Sequence, residues 1–214
     1  PDAEQTRTYI RLIKQHLVTV REDGSIRLNQ DYFNYATGLS MVQEKKWQAL
    51  FGFPVLTPEG ELEQAHCNLA YAIQQVTEEI VFKMAAEAKR ITAAEHLCLA
   101  GGVALNCVAN GKLLKQGLFK EIFIQPAAGD AGGALGAALA AHHLYFEQER
   151  NPAAEGDAMR GAYWGPEFSD KEALLAFKKH KAVYKRMDSF DQLCRTVADL
   201  LEQGHVIGWF QGRM

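Results

Sequence analysis

No two of the four cysteines (Cys67, Cys98, Cys107 and Cys194) form a C-x-x-C pair. Without that spacing or histidine partners, cysteine-bound zinc is not expected. Cys98 sits in an apolar strand pattern and Cys194 on an amphipathic helix pattern. The four are expected to be reduced core thiols, as in a cytoplasmic protein. The seven histidines are scattered and no two are four residues apart, so the chain carries no helical two-histidine metal motif. His142 and His143 are adjacent and cannot face one way on a helix; a solvated helix end is expected there. G-x-S-x-G and G-x-x-x-x-G-K-[ST] are absent, as is a convincing nucleophile–base pair. No apolar run approaches the ~20 residues that a membrane helix needs. The net charge is -3 with both signs interspersed. No basic stripe marks a nucleic-acid face, and no basic amphipathic helix marks a membrane surface. The first residues are polar and not patterned as a signal peptide.

What is present suits a globular α/β protein. Hydrophobic residues make up 48% of 214 residues, enough for a core. Residues 4–16 can form a short polar helix. Val18-Thr19-Val20 and Ile26-Arg27-Leu28 alternate around Asp23-Gly24, which is a hairpin signal. Aromatics cluster at Tyr32, Phe33 and Tyr35 and again at Trp47, Phe51 and Phe53; core packing is preferred over a ligand cleft. Leu69, Ile73, Val76, Ile80 and Met84 recur at helical spacing and imply a long helix over about 62–90. Glu78, Glu79, Lys83 and Glu87 lie off that stripe and are expected to be solvated. His96 to Ala100 reads as a short buried strand, 103–114 as a turn becoming helix, Glu121 to Gln125 as a second strand, and 131–146 as a Gly/Ala-rich helix. That alternation implies parallel neighbouring strands. Residues 151–162 carry Pro, Gly and polar residues and read as a linker. Beyond it, Ser169 with Glu172 forms a capping box for a helix to about His180. Ala182 to Arg186 and Val206 to Phe210 read as strands. Phe190, Leu193, Val197, Leu200 and Leu201 form an amphipathic helix stopped by Gly204.

Two turns carry the chemistry. Gly101-Gly102 follows the first of the parallel strands, and Gly129-Asp130-Ala131-Gly132-Gly133 follows the second. Glycine lets backbone N–H groups approach a ligand. A helix start adds unpaired N–H donors and a positive dipole end, which favours phosphate. In open α/β sheets ligands gather at the carboxyl ends of strands. The alternative is ordinary turn chemistry with close helix packing. Asp130 can cap the helix or face the cleft and bind a divalent cation. Asn106 and Asn110 are turn formers or amide donors to a ribose or base.

Residues 97–111, running Leu-Cys-Leu-Ala-Gly-Gly-Val-Ala-Leu-Asn-Cys-Val-Ala-Asn-Gly, and residues 125–138, running Gln-Pro-Ala-Ala-Gly-Asp-Ala-Gly-Gly-Ala-Leu-Gly-Ala-Ala, carry a family resemblance. So do Asp31-Tyr32-Phe33, residues 165–169 and residues 208–214. The chain resembles the O-carbamoyltransferases of the nodulation-protein and antibiotic-tailoring type over nearly its whole length. The resemblance implies the second lobe of an actin/sugar-kinase/heat-shock-ATPase-like fold over 1–150. After the linker it implies the start, over 163–214, of a C-terminal carbamoyl-adenylate-forming α/β domain. Such enzymes use ATP and carbamoyl phosphate to make carbamoyl-adenylate, then carbamoylate a hydroxyl of a small-molecule acceptor.

By this resemblance Gly101, Gly102, Val103, Asn106, Gly129 and Gly132 bind nucleotide, and Asp130 is a ligand of a divalent metal (iron, manganese or magnesium). The metal would act as a Lewis acid on the carbamoyl carbonyl. The partner histidines of an H-x-x-x-H motif are absent here, so an N-terminal lobe is expected outside this chain. The closing Gly212-Arg213-Met214 reads as the opening of an arginine-rich motif of the C-terminal domain, and the chain as the central part of a longer protein. Val55 and Ala65 stand where many relatives are expected to have arginine. Two other readings remain: a kinase of the same superfamily acting on a small acid or sugar, and a nucleotide-binding module without chemistry.

Overall fold

The computed structural model describes residues 1–151 and 159–214. It is mixed α/β and divides into two compact units, Pro1–Phe146 and Glu147–Met214. The expected linker over 151–162 falls mainly on 152–158, outside the described residues.

The first unit opens with helix α1 (Ala3–Leu12), capped by the Asp2 carboxylate, which accepts a hydrogen bond from the Gln5 N–H at 2.7 Å. A single π-helical turn, Ile13–Leu17, leads into strand β1 (Val18–Val20). Strand β2 (Ile26–Leu28) returns antiparallel with Val18 opposite Leu28, as the Asp23-Gly24 signal predicts. Gly24 has φ +81°, the left-handed geometry such a turn needs. Helix α2 (Glu44–Phe51) follows, then the 29-residue helix α3 (Gln64–Thr92).

Helix α3 is the spine of the unit. Its first half packs on α1, the π turn and the aromatic residues, in a core of Tyr9, Ile13, Leu17, Phe51, Ala72 and Val76. Trp47 donates its Nε1–H to the Tyr32 carbonyl at 2.9 Å, and its ring lies edge-on to Phe33. Tyr32, Phe33, Trp47, Phe51 and Phe53 are thus packing residues, as expected, whereas Tyr35 is exposed. Buried Asn68 clamps the chain start: its Oδ1 accepts from the Asp2 N–H and Gln64, and its Nδ2 donates to Gln5.

The expected stripe of α3 holds at Val76, which is buried, and at Leu69 and Ile80, which pack against the core, but not elsewhere. Asn68, Ala72, Val76, Glu78 and Ala85 are buried, whereas Ile73 and Met84 are exposed. Counting large apolar residues misses positions where Ala or Asn allows a neighbouring helix to approach.

The second half of α3 supports strand β3 (His96–Leu99), helix α4 (Cys107–Lys115) and strand β4 (Glu121–Ile124). Strands β3 and β4 are parallel, His96 opposite Glu121 and Leu99 opposite Ile124. Leu97, Leu99 and Ile122 face a core of Ala85, Leu113 and Phe119. The strand is buried on that face only. Cys98 and Phe123 point to the other face and are exposed, because side chains alternate along a strand. All four cysteines are exposed, which corrects the expectation of core thiols. Helix α5 (Asp130–Ala140) follows β4 and ends in a second π turn, Ala141–Tyr145, that carries His142 and His143.

In the second unit, helix α6 (Asp170–His180) starts at the expected capping box, with the Ser169 N–H donating to Glu172 Oε2 at 2.8 Å. Helix α7 (Phe190–Glu202) is capped by Ser189 and ends before Gly204, at φ +84°. The strands expected at 182–186 and 206–210 do not form. A strand exists only with a ladder partner, and the described residues of this unit supply none. None of its described residues is buried.

Candidate functional site

The two glycine turns meet at the carboxyl ends of β3 and β4. The Gln125 N–H donates to the Leu99 carbonyl at 3.1 Å and carries the ladder one step past the strands. The Gly101 N–H then donates to the Ala128 carbonyl at 2.8 Å, so each turn braces the other. Gly101 has φ +97°, a conformation that a side chain strains. Its N–H is occupied by Ala128 and is not a free donor.

A 3₁₀ turn, Gly102–Leu105, follows directly. Gly102 is exposed, and a Cβ there would meet nothing within 4 Å. Val103 is exposed as well and lines an apolar groove of about 260 Å³ with Met84, Leu97 and Leu99. The Asn106 N–H donates to the Val103 carbonyl at 3.0 Å, and Asn106 Oδ1 caps α4 by accepting from the Ala109 N–H at 3.0 Å. Asn110 is buried and donates to the Ala104 carbonyl at 2.7 Å. Both asparagines therefore hold the turn's shape, and Asn110 takes the turn-former alternative.

At the second turn Gly129 occupies the cap position of α5, and no side chain caps this helix. Asp130 is its first residue and is exposed. Its carboxylate lies at the positive end of the helix dipole, and the Gly132 N–H in the same turn donates to the Gly129 carbonyl at 3.0 Å. Gly129 and Gly133 leave open space where a Cβ would stand. Gly132 does not: a Cβ would lie 2.2 Å from the Ala127 carbonyl oxygen.

A complete metal site does not fit the described residues. They contain no group of three or more His, Cys, Asp or Glu able to hold a cation, and Asp130 stands as a single exposed carboxylate. No helix among them is long and apolar enough to cross a membrane.

Glu78, expected on a solvated face, is buried. Its Oε2 accepts from Lys112 Nζ on α4 at 2.6 Å, and its Oε1 accepts from Gln74 Nε2 at 2.9 Å. Burial alone pushes the Glu78 carboxyl up; the hydrogen bonds from Lys112 and Gln74, with the lysine charge, outweigh it and hold the group below its ordinary value. No local signal announces the pair, since its members are 34 residues apart in sequence.

Residues 5–139 match the family described as the carbamoyltransferase N-terminus. The chain belongs to the carbamoyltransferase family. Both glycine turns and Asp130 fall within the matched span. Similar proteins include an uncharacterised protein, sll1178, of a Synechocystis species, 49% identical over 208 residues, covering 96% of this chain and 33% of the relative. Nodulation protein NolO of Bradyrhizobium diazoefficiens is 40% identical over 154 residues, covering 70% of this chain and 26% of the relative. Nodulation protein NolNO of Sinorhizobium fredii is 40% identical over 154 residues, 70% of this chain and 21% of that one. The chain thus spans a third or less of the length of these relatives.

Proposed function

We propose that this chain is the central part of an ATP-dependent O-carbamoyltransferase. The observation that carries the reading is the Gly101–Ala128 hydrogen bond, which joins two family-matched glycine turns at one edge of a parallel strand pair. In this reading residues 1–150 are the second lobe of an actin-like fold and 163–214 begin the adenylate-forming domain.

ATP, carbamoyl phosphate and one water give carbamoyl-adenylate, pyrophosphate and phosphate: water releases phosphate from carbamoyl phosphate, and the carbamate oxygen displaces pyrophosphate from the ATP α-phosphorus. An acceptor hydroxyl then attacks the carbamoyl carbon, its proton is lost, and AMP leaves. The chain's own contribution is binding and orientation. The exposed backbone at Gly102 lies open beside the nucleotide. The start of α5, with Gly129 at its cap, turns the positive end of the helix dipole toward phosphate oxygens, while the Gly132 N–H is taken by the Gly129 carbonyl at 3.0 Å and Gly132 serves by its lack of a side chain. Val103 offers apolar surface beside them, and Asn106 sets the loop. Holding the reacting groups together lowers the entropic part of the barrier. A cytoplasmic location suits these substrates.

Asp130 supplies one carboxylate to a divalent cation whose other ligands come from residues outside this chain. In the full-length protein Asp130→Ala is expected to weaken cation affinity at least about tenfold, read by direct metal titration. Unchanged affinity removes Asp130 from the ligand set.

The deciding assay incubates full-length protein with ATP, carbamoyl phosphate and a panel of divalent metals. Pyrophosphate release is expected. No release with any metal overturns the reading. ADP as the product would instead indicate phosphoryl transfer by a related kinase.

A further inference from the structure

Gln74 lies on α3, away from both glycine turns in sequence, yet its side chain reaches the residue that shapes the first of them. Its Oε1 accepts from Asn106 Nδ2 at 2.8 Å, and its Nε2 donates to Asn106 Oδ1 at 3.1 Å. The two carboxamides thus pair face to face. The same Nε2 donates to Glu78 Oε1 at 2.9 Å. An ionised carboxylate accepts and never donates, so Glu78 dictates which end of the Gln74 amide is the nitrogen. Lys112 occupies the other Glu78 oxygen at 2.6 Å and keeps it charged. The order of control runs Lys112, Glu78, Gln74, Asn106.

Asn106 is where this order meets the nucleotide turn. Its N–H closes the Gly102–Leu105 turn onto Val103, and its Oδ1 caps α4. A rotated carboxamide would present a donor to the Ala109 N–H and lose the cap. We infer that Gln74 is a positioning residue: it locks the Asn106 carboxamide and so holds the double-glycine turn in its nucleotide-receiving shape. The inference rests on the nucleotide reading of that turn given above.

The test uses the full-length protein. Gln74→Leu keeps the side-chain bulk and removes the amide pairing. Its KM for ATP is expected to rise about tenfold, the cost of losing two neutral hydrogen bonds at one group. Its kcat is expected to stay within about threefold, because the turn is loosened rather than the reacting groups removed. Glu78→Gln combined with Lys112→Met removes both charges but leaves an amide oxygen facing Gln74. Its KM for ATP is expected to stay within about threefold of the unaltered protein. Glu78→Leu with Lys112→Met should behave like Gln74→Leu.

Amide hydrogen exchange gives a readout independent of activity. In Gln74→Leu the Ala109 and Ala104 amides should exchange about tenfold faster while the middle of α3 is unchanged, the signature of local opening. An ATP KM within twofold of the unaltered protein in Gln74→Leu overturns the inference. Equal loss of kcat in every variant, or unchanged Ala109 protection, also overturns it. If the unaltered protein binds no ATP in direct titration, the nucleotide reading fails by itself; the exchange data then decide whether Gln74 locks the turn.

Discussion

Gly132→Ala is expected to destabilise the protein by about 3 kcal/mol, at the upper end of the range for forcing an extra carbon into a packed site. The added Cβ would stand 2.2 Å from the Ala127 carbonyl oxygen. That neighbour is backbone, so no rotamer change relieves the contact. Either α5 tilts away from the strand end or the 127–129 segment shifts. The second movement strains the hydrogen bond from Gly101 to Ala128, so both turns suffer. Gly133→Ala, one residue on, is the control. Nothing lies within 4 Å of its Cβ position, so the substitution should be neutral or stabilising by up to ~1 kcal/mol from helix propensity. Urea denaturation of the two variants reads the difference. Equal midpoints would mean that the close approach at Gly132 does not constrain the turn.

Lys112→Met is expected to cost about 2 kcal/mol near neutral pH. Removing the partner of a fully buried charge costs ~3–5 kcal/mol. Here the Lys112 side chain keeps 45% of its exposure, so solvent already screens part of the pair. The pH dependence is the sharper test. In the unaltered protein the Glu78 carboxyl is held below its ordinary 4.5. Its contribution is complete above pH 4.5 and is lost as the pH falls through its lower folded value. Without Lys112, burial dominates and raises the carboxyl instead. A raised group contributes below its unfolded value and loses that contribution as pH rises. The stability gap between Lys112→Met and the unaltered protein should therefore widen from pH ~4 to pH ~7. Urea melts at the two values measure it. A gap independent of pH would show that Glu78 does not feel the lysine.

Much of the fold is local and therefore legible. The hairpin at Asp23-Gly24, the capping box at Ser169 and Glu172, and the stop at Gly204 each depend on a few neighbouring residues. The parallel pair β3 and β4 follows from alternating short strands and helices. The expected strands at 182–186 and 206–210 show the limit of such reading. Each begins with apolar residues, but a pattern does not supply a partner. The exposed Cys98 makes the same point, since a run such as His-Leu-Cys-Leu does not say whether one face or both will be covered.

For the candidate site, residue spacing alone placed Gly101, Gly102, Gly129, Asp130 and Gly132 at the ends of two strands, because a strand–glycine–helix succession is written contiguously. The family followed from the same stretches. Only the tertiary structure decided how those residues are used. It gave the Gly101 N–H to Ala128, put Gly129 rather than Asp130 at the cap of α5, and made Gly132 a close-approach position. It also moved Glu78 from an expected solvated face into a buried pair with Lys112. The reason is physical: propensity, capping and turn geometry act over a few residues, whereas burial and hydrogen-bond partners are set by where α3 and α4 come to lie against each other.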